Sequence, residues 1–300
     1  MTLASLYSLC RQAINAWIDD YAPSMGAALA YYTLFSIAPL LLIVISIAGL
    51  VFGPDAARGH IFSELRDLMG EDGAAAAQAL LQSVNKPAQG VLGTIVGVVL
   101  LGVGAISVFG ELQNALDRIW RAPGRAGSGG LWALVRARLL SFGMVLGIGF
   151  LLILSLVASA AVAALGKFAA PWFGSWAVLA ELLNLVLSFA LVTVTFAMIY
   201  KIIPRVRIGW RDVWIGAAVT ALLFSIGKSL IGLYLGRSSF ASGFGAAGSL
   251  VVVFIWVYYS AQIFLLGAEF TRIYAYRHGS LRGQQPPTAP GLPSRSAPAG

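Results

Sequence analysis

Residues 246–270 read AAGSLVVVFIWVYYSAQIFLLGAEF, an apolar run whose one charge, Glu269, comes next to last. A helix rises about 1.5 Å per residue, so this run exceeds the roughly 30 Å of hydrocarbon in a bilayer. Eighteen or more apolar residues with almost no charge predict a transmembrane helix rather than the core of a soluble domain. Five further blocks of the same kind lie upstream, at 26–52, 91–110, 139–165, 178–200 and 213–235. The sequence therefore predicts an all-α integral membrane protein of six transmembrane helices. Composition agrees: 59% of the 300 residues are hydrophobic and 11% charged, where soluble domains carry about a quarter charged residues. Mean hydropathy is +0.84.

The net charge of +8 would suggest a nucleic-acid partner in a soluble chain, but its distribution explains it otherwise. Residues 1–25, 111–138, 201–212 and 271–300 hold fourteen Lys or Arg, whereas the segments on the other side hold five and Lys228 lies within a span. Positive charge accumulates on the cytoplasmic side of membrane proteins, so both termini are expected in the cytoplasm and the basicity needs no nucleic acid. Anionic lipid headgroups are its expected neighbours. The single cysteine, Cys10, gives no disulfide framework.

Two regions flank this membrane domain of 26–270, and one exported loop lies within it. Residues 1–25 carry Leu3, Leu6, Tyr7, Cys10, Ile14 and Trp17 on one side and are read as an amphipathic helix lying along the cytoplasmic leaflet. The loop at 53–90 is the one sizeable exported segment. Its Ile61, Phe62, Leu65, Leu68 and Met69 recur at helical spacing and GEDG at 70–73 interrupts them, which predicts a helical hairpin with a solvated acidic face. The tail at 271–300 is proline-rich from residue 279 and expected to be largely disordered. No internal repeat of the kind that builds many secondary transporters is visible.

Ionisable groups inside spans are costly and mark functional or pairing sites. In the fourth span Glu181, Asn184, Ser188 and Thr195 fall, at about 100° per residue, within one sector of roughly 60°. Lys228 in the fifth span shares its face with Ala217, Ala221 and Gly232, so that face is expected to pack inward, with Glu181 as its partner. In the sixth span Tyr258, Gln262 and Glu269 share one side. Glu111 and Glu269 stand near the inner surface, where the bland reading makes them anchors paired with arginines such as Arg118 and Arg272. In the first span Pro39 removes an amide donor and clashes with the Phe35 carbonyl, which predicts a kink, with Thr33 and Ser36 placed to bond freed carbonyls and Tyr31 and Tyr32 near the inner interface.

The segments AALAYYTLFSIAPLL, IPRVRIGWRDVWIGA and SLVVVFIWVYYSAQIFLLGAEFTR, taken in order, resemble the YihY/virulence factor BrkB family over about residues 10–276. The resemblance implies a six-helix bacterial inner-membrane protein linked to the cell envelope, with no established substrate. Some members have carried the name ribonuclease BN, and the residues argue against that chemistry. A metal-dependent nuclease needs several His, Asp and Glu ligands converging on its ions. The two histidines, His60 and His278, fall on opposite sides of the membrane. No phosphate-cradling GxxxxGK[ST] loop is present either. The expectation is a chain without metal or cofactor that is not an enzyme. It transports or translocates an envelope lipid or solute along a polar surface of Glu181, Asn184, Ser188 and Lys228. The alternative is a non-transporting scaffold whose exported loop recruits other envelope proteins.

Overall fold

The computed structural model describes residues 3–84, 107–122, 143, 147, 150, 154, 176–237 and 248–284. Every regular element among them is helical: α1 (Leu3–Asp19), α2 (Ala22–Phe52), α3 (Pro54–Val84), α4 (described over 107–119), α5 (Trp176–Ile202), α6 (Trp210–Arg237) and α7 (Gly248–Arg277). Three stretches, Leu182–Ile202, Trp210–Tyr234 and Leu250–Arg277, are long and apolar enough to cross a membrane. They correspond to the fourth, fifth and sixth predicted spans. The first predicted span lies within α2. The second and third fall almost wholly outside the described residues.

Helices α5, α6 and α7 run antiparallel in sequence, and small residues bring them close. Phe196 packs edge-on against Phe224, and one turn along Tyr200 meets Thr220 at 3.1 Å. Tyr200 also donates to the Phe264 carbonyl at 2.7 Å. Between α6 and α7, a Cβ added at Gly216 would lie 2.7 Å from both Cβ and Cγ2 of Thr271, and one added at Gly267 would lie 2.9 Å from Thr220 Cβ. Each threonine hydroxyl is bonded back to its own helix, Thr220 to Gly216 and Thr271 to Gly267. The crossing therefore uses small surfaces without leaving hydroxyls unpaired in an apolar setting.

Helix α2 lies antiparallel to α7. Gly26 abuts Gln262, while Ala30, Leu34 and Ile37 share a cluster with Val253 and Val257. It starts at Ala22 after Tyr21, which adopts a left-handed conformation (φ 57°, ψ 38°), and carries Pro23 in its first turn, where proline costs no hydrogen bond. The helix begins four residues before the apolar block, and Tyr31 and Tyr32, both exposed, stand about 14 Å along it. The helix continues through position 39. Ser36 donates to Tyr32 O at 2.7 Å, three residues before the Phe35 carbonyl that Pro39 leaves free. The Pro39 side chain, and hence the kink expected there, lies outside the described ones.

Helix α3 breaks at Gly70 (φ 78°, ψ 177°), inside the GEDG sequence. Its two arms fold against each other, because Ile61 from the first and Leu81 from the second share a cluster with Ile45 of α2. Helix α1 seats Leu9 and Ala13 against Phe270 and Tyr274 of α7. Its opposite side, with Leu6, Tyr7, Cys10, Ile14 and Ile18, is exposed. Of the face the sequence directs toward the leaflet, Leu6, Tyr7, Cys10 and Ile14 are thus exposed, whereas Trp17 packs against the core.

One end of the bundle is tied by polar contacts. Asp117 Oδ1 accepts the Arg205 amide at 2.9 Å, and its other oxygen lies 3.4 Å from Arg205 Nε. Lys201 donates to the Ile208 carbonyl and sits over the Trp210 ring. Beyond α7 the chain is described as far as Gln284, and residues 278–284 fold back in turns although the composition from 279 suggests disorder. The reason is a latch on α6: Asp212, 2% exposed, accepts from the Ser280 amide at 2.8 Å and the Ser280 hydroxyl at 2.6 Å. Residues 285–300 lie outside the described ones.

Candidate functional site

The same end holds a buried group of charges. Asp20 stands between α1 and α2 and is 4% exposed. Arg121, just past α4, brings Nη2 to 2.9 Å and 3.2 Å of the two Asp20 carboxylate oxygens. Arg121 has φ 52°, and with Tyr21 it makes up the positive-φ non-glycine residues among those described. This conformation disfavours residues with a Cβ, yet both examples flank one ion pair. Each ends a helix in the left-handed form that glycine usually supplies. Tyr21 also carries the Arg118 guanidinium over its ring at 5.6 Å.

Arg272 of α7 completes the group. Its Nη2 lies 2.8 Å from Glu269 Oε2, and its Nη1 lies 3.5 Å from Asp20 and donates to the Ile119 carbonyl at 2.7 Å. The last contact satisfies a carbonyl at the C-terminal end of α4, where a cation is favoured. Glu269 is fully buried, and neither carboxylate oxygen receives a directed hydrogen bond among the described residues. The Arg272 guanidinium is its ion-pair partner among the described residues.

The polarity continues into the bundle. Gln262 lies two turns before Glu269 on the same side of α7, about 10 Å away along the axis. Its amide nitrogen and oxygen are both buried without a hydrogen-bond partner among the described residues, as are the indole nitrogens of Trp17 and Trp120. Trp120 and Trp17 pack in the cluster that holds Ala22, Met25, Leu116, Ile119 and Ala268, and Gly26 abuts the Gln262 amide. An amide shut in such surroundings without a partner costs about 1–3 kcal/mol. Water or a polar ligand entering between α2, α4 and α7 would remove that cost. The arrangement can therefore hold a polar group inside an otherwise apolar core. Among the described residues no three His, Cys, Asp or Glu converge to hold a metal.

The sequence-derived candidates divide. Glu269 is in this site, and Arg272 is the neighbour expected for it. Glu111 is half-buried on α4, while Arg118 sits over Tyr21. Asn184 and Ser188 are exposed on α5, and Lys228 is half-buried on α6. Ala217 and Ala221 on the Lys228 face are fully buried, but Gly232 is exposed. The Glu181 side chain lies outside the described ones, and with it the expected contact to Lys228. Thr195, of the same stripe, bonds back to Leu191 O. Asp20 and Arg121 were not singled out by sequence reasoning. The seven-residue spacing of Gln262 and Glu269 is legible, but nothing in a local pattern announces that Arg121 turns back toward Asp20.

Comparison with known proteins adds the following. The family model described as Virulence factor BrkB matches residues 13–291. A UPF0761 membrane protein of Pseudomonas aeruginosa (strain LESB58) is 29% identical over 260 residues, covering 85% of this chain and 59% of that protein. One from Ralstonia nicotianae is 28% identical, covering 88% of this chain and 58% of its own length. A third, from Pseudoalteromonas translucida, is 28% identical, covering 87% and 83%. The chain thus spans under two thirds of the Pseudomonas and Ralstonia proteins. No solved structure matches it.

Proposed function

The chain belongs to the virulence factor BrkB family of membrane proteins, and from that premise we propose that it carries a polar envelope constituent, lipid or solute, through its interior. In this reading it is a carrier and not an enzyme. It crosses the bacterial inner membrane six times with both termini in the cytoplasm. The ends of α4, α5 and α7 and the starts of α2 and α6 meet at one pole. Arg121, Lys201, Arg205 and Arg272 all make their contacts there, which suits the cytoplasmic face.

The observation that carries the proposal is Gln262, whose amide atoms are buried without a hydrogen-bond partner among the described residues, in line with the fully buried Glu269. Such groups persist in membrane bundles where they face a hydrated path or a ligand. A scaffold needing only a rigid bundle would be more stable with an apolar residue at 262. The experiment is native mass spectrometry of the protein released directly from membranes. A bound lipid or polar solute, diminished in Gln262→Leu, is the expected result. An empty bundle in both proteins, with Gln262→Leu the more stable of the two, would defeat the proposal and favour the scaffold.

A further inference from the structure

We propose that the hairpin α3 re-enters the bilayer from the outer side, with its Gly70 turn well inside the hydrocarbon and lining a water-filled recess open to the exterior. The inference rests on the orientation given above, and its evidence is depth. Met69 and Ala76, on either side of the turn, share a cluster with Ala30, Val253 and Val257. The inner boundary is marked by Asp20 on the α2 side and Glu269 on α7. Ala30 is ten residues from Asp20 and Val257 twelve from Glu269, or about 15 Å and 18 Å at 1.5 Å per residue. Val253 is four residues further out. The turn therefore lies between the middle and the outer third of a core about 30 Å thick. Its upper arms, at Ile61 and Leu81, pack beside Ile45, so the hairpin descends along α2 and returns.

At this depth the turn sequence is RDLMGEDG, residues 66–73. Arg66 Nε lies 3.3 Å from Glu71 Oε2, and the two side chains are 62% and 75% exposed. A Cβ built at Gly70 would meet nothing within 4 Å. The turn is thus open on one side, and what fills the opening must tolerate an ion pair and the break in the helix backbone. Acyl chains tolerate neither, since non-helical backbone at membrane depth occurs where it is enclosed by protein or faces water. Lys228 stands at the same level: the neighbouring Gly227 abuts Tyr259, and Ile231 packs on Val252 and Trp256. The recess would admit water and small polar groups to the outer half of the bundle, opposite the Gln262 to Glu269 line in the inner half.

Single-cysteine accessibility in intact cells tests this, with the native Cys10 replaced by serine. Ala56→Cys reports the base of the hairpin and Glu71→Cys its turn. Ala75→Cys, at an exposed alanine, reports the turn with the Arg66–Glu71 pair intact. Two membrane-impermeant thiol reagents are added from outside, a small cationic methanethiosulfonate and a bulky polyethylene-glycol maleimide. Expected is modification of Ala56→Cys by both, and of the turn cysteines by the small reagent with loss of modification by the bulky one. Equal modification at base and turn by the bulky reagent would put the hairpin on the membrane surface, overturning re-entry while leaving the orientation intact. Turn cysteines inert to both would overturn the hydrated recess. An Ala56→Cys protein that neither reagent reaches from outside would instead refute the orientation, and the inference with it.

Discussion

Replacing Arg272 by methionine keeps most of the side-chain volume of α7 and removes the cation that stands between two buried carboxylates. In the native protein that guanidinium lies 2.8 Å from Glu269 and 3.5 Å from Asp20, and it donates to the Ile119 carbonyl at 2.7 Å. Glu269 would be left fully enclosed with no cation in contact, and the Ile119 carbonyl would lose its donor. Removing one partner of a buried ion pair costs about 3–5 kcal/mol, most of it the penalty of the stranded charge. Asp20 retains Arg121, so its share of the loss is small and the lower end of that range is expected. In Glu269→Gln/Arg272→Met the stranded charge is gone, so the double variant should recover about 1–3 kcal/mol relative to the sum of the singles. The assay is equilibrium unfolding of the purified protein in mixed micelles, followed by tryptophan fluorescence, since Trp120 and Trp17 border the site. An Arg272→Met protein as stable as the native one, or single effects that simply add, would refute the reasoning.

Four further outcomes follow from the packing. Gly216→Val places a branched side chain on buried Thr271, and such overpacking should cost about 1–3 kcal/mol in the same unfolding assay. Gly232→Ala, on the same helix with open space around it, should change little. Tyr200→Phe removes the donor to the Phe264 carbonyl and should cost about 0.5–1.5 kcal/mol, with native fold retained in circular dichroism. Asp212→Ala removes the carboxylate oxygen that accepts both Ser280 hydrogen bonds, so limited proteolysis should cut at Arg282 in the variant while sparing that bond in the native protein.

What the sequence discloses here is what repeats. Apolar length and charge asymmetry need no neighbour to be read, which is why three candidate spans, the hairpin break at Gly70 and the shared side of Gln262 and Glu269 are all visible in the string. The buried charge group depends on two residues, Tyr21 and Arg121, adopting backbone conformations that their side chains disfavour. Tertiary contact imposes that choice, and no local pattern encodes it. Asp20 and Arg121 are 101 residues apart, so their meeting is equally invisible. The depth of the hairpin is hidden for another reason. RDLMGEDG reads as a solvated turn by composition, and only the contact of Met69 with Ala30 and Val257 shows how far along α2 and α7 it reaches. Ser36 is a smaller case: its hydroxyl bonds Tyr32 O, the ordinary back-bond within a helix, and not the carbonyl freed by Pro39.

The central claim is that the interior of this bundle carries a polar constituent across the membrane, and reconstituted translocation tests it most directly. The protein in sealed vesicles, loaded either with a headgroup-labelled phospholipid or with an entrapped small polar solute, should speed the crossing of one of the two over protein-free vesicles. Gln262→Leu should slow that crossing while the protein remains folded. Native protein that moves neither cargo faster than bare vesicles, in a preparation shown to be folded and inserted, would contradict the account.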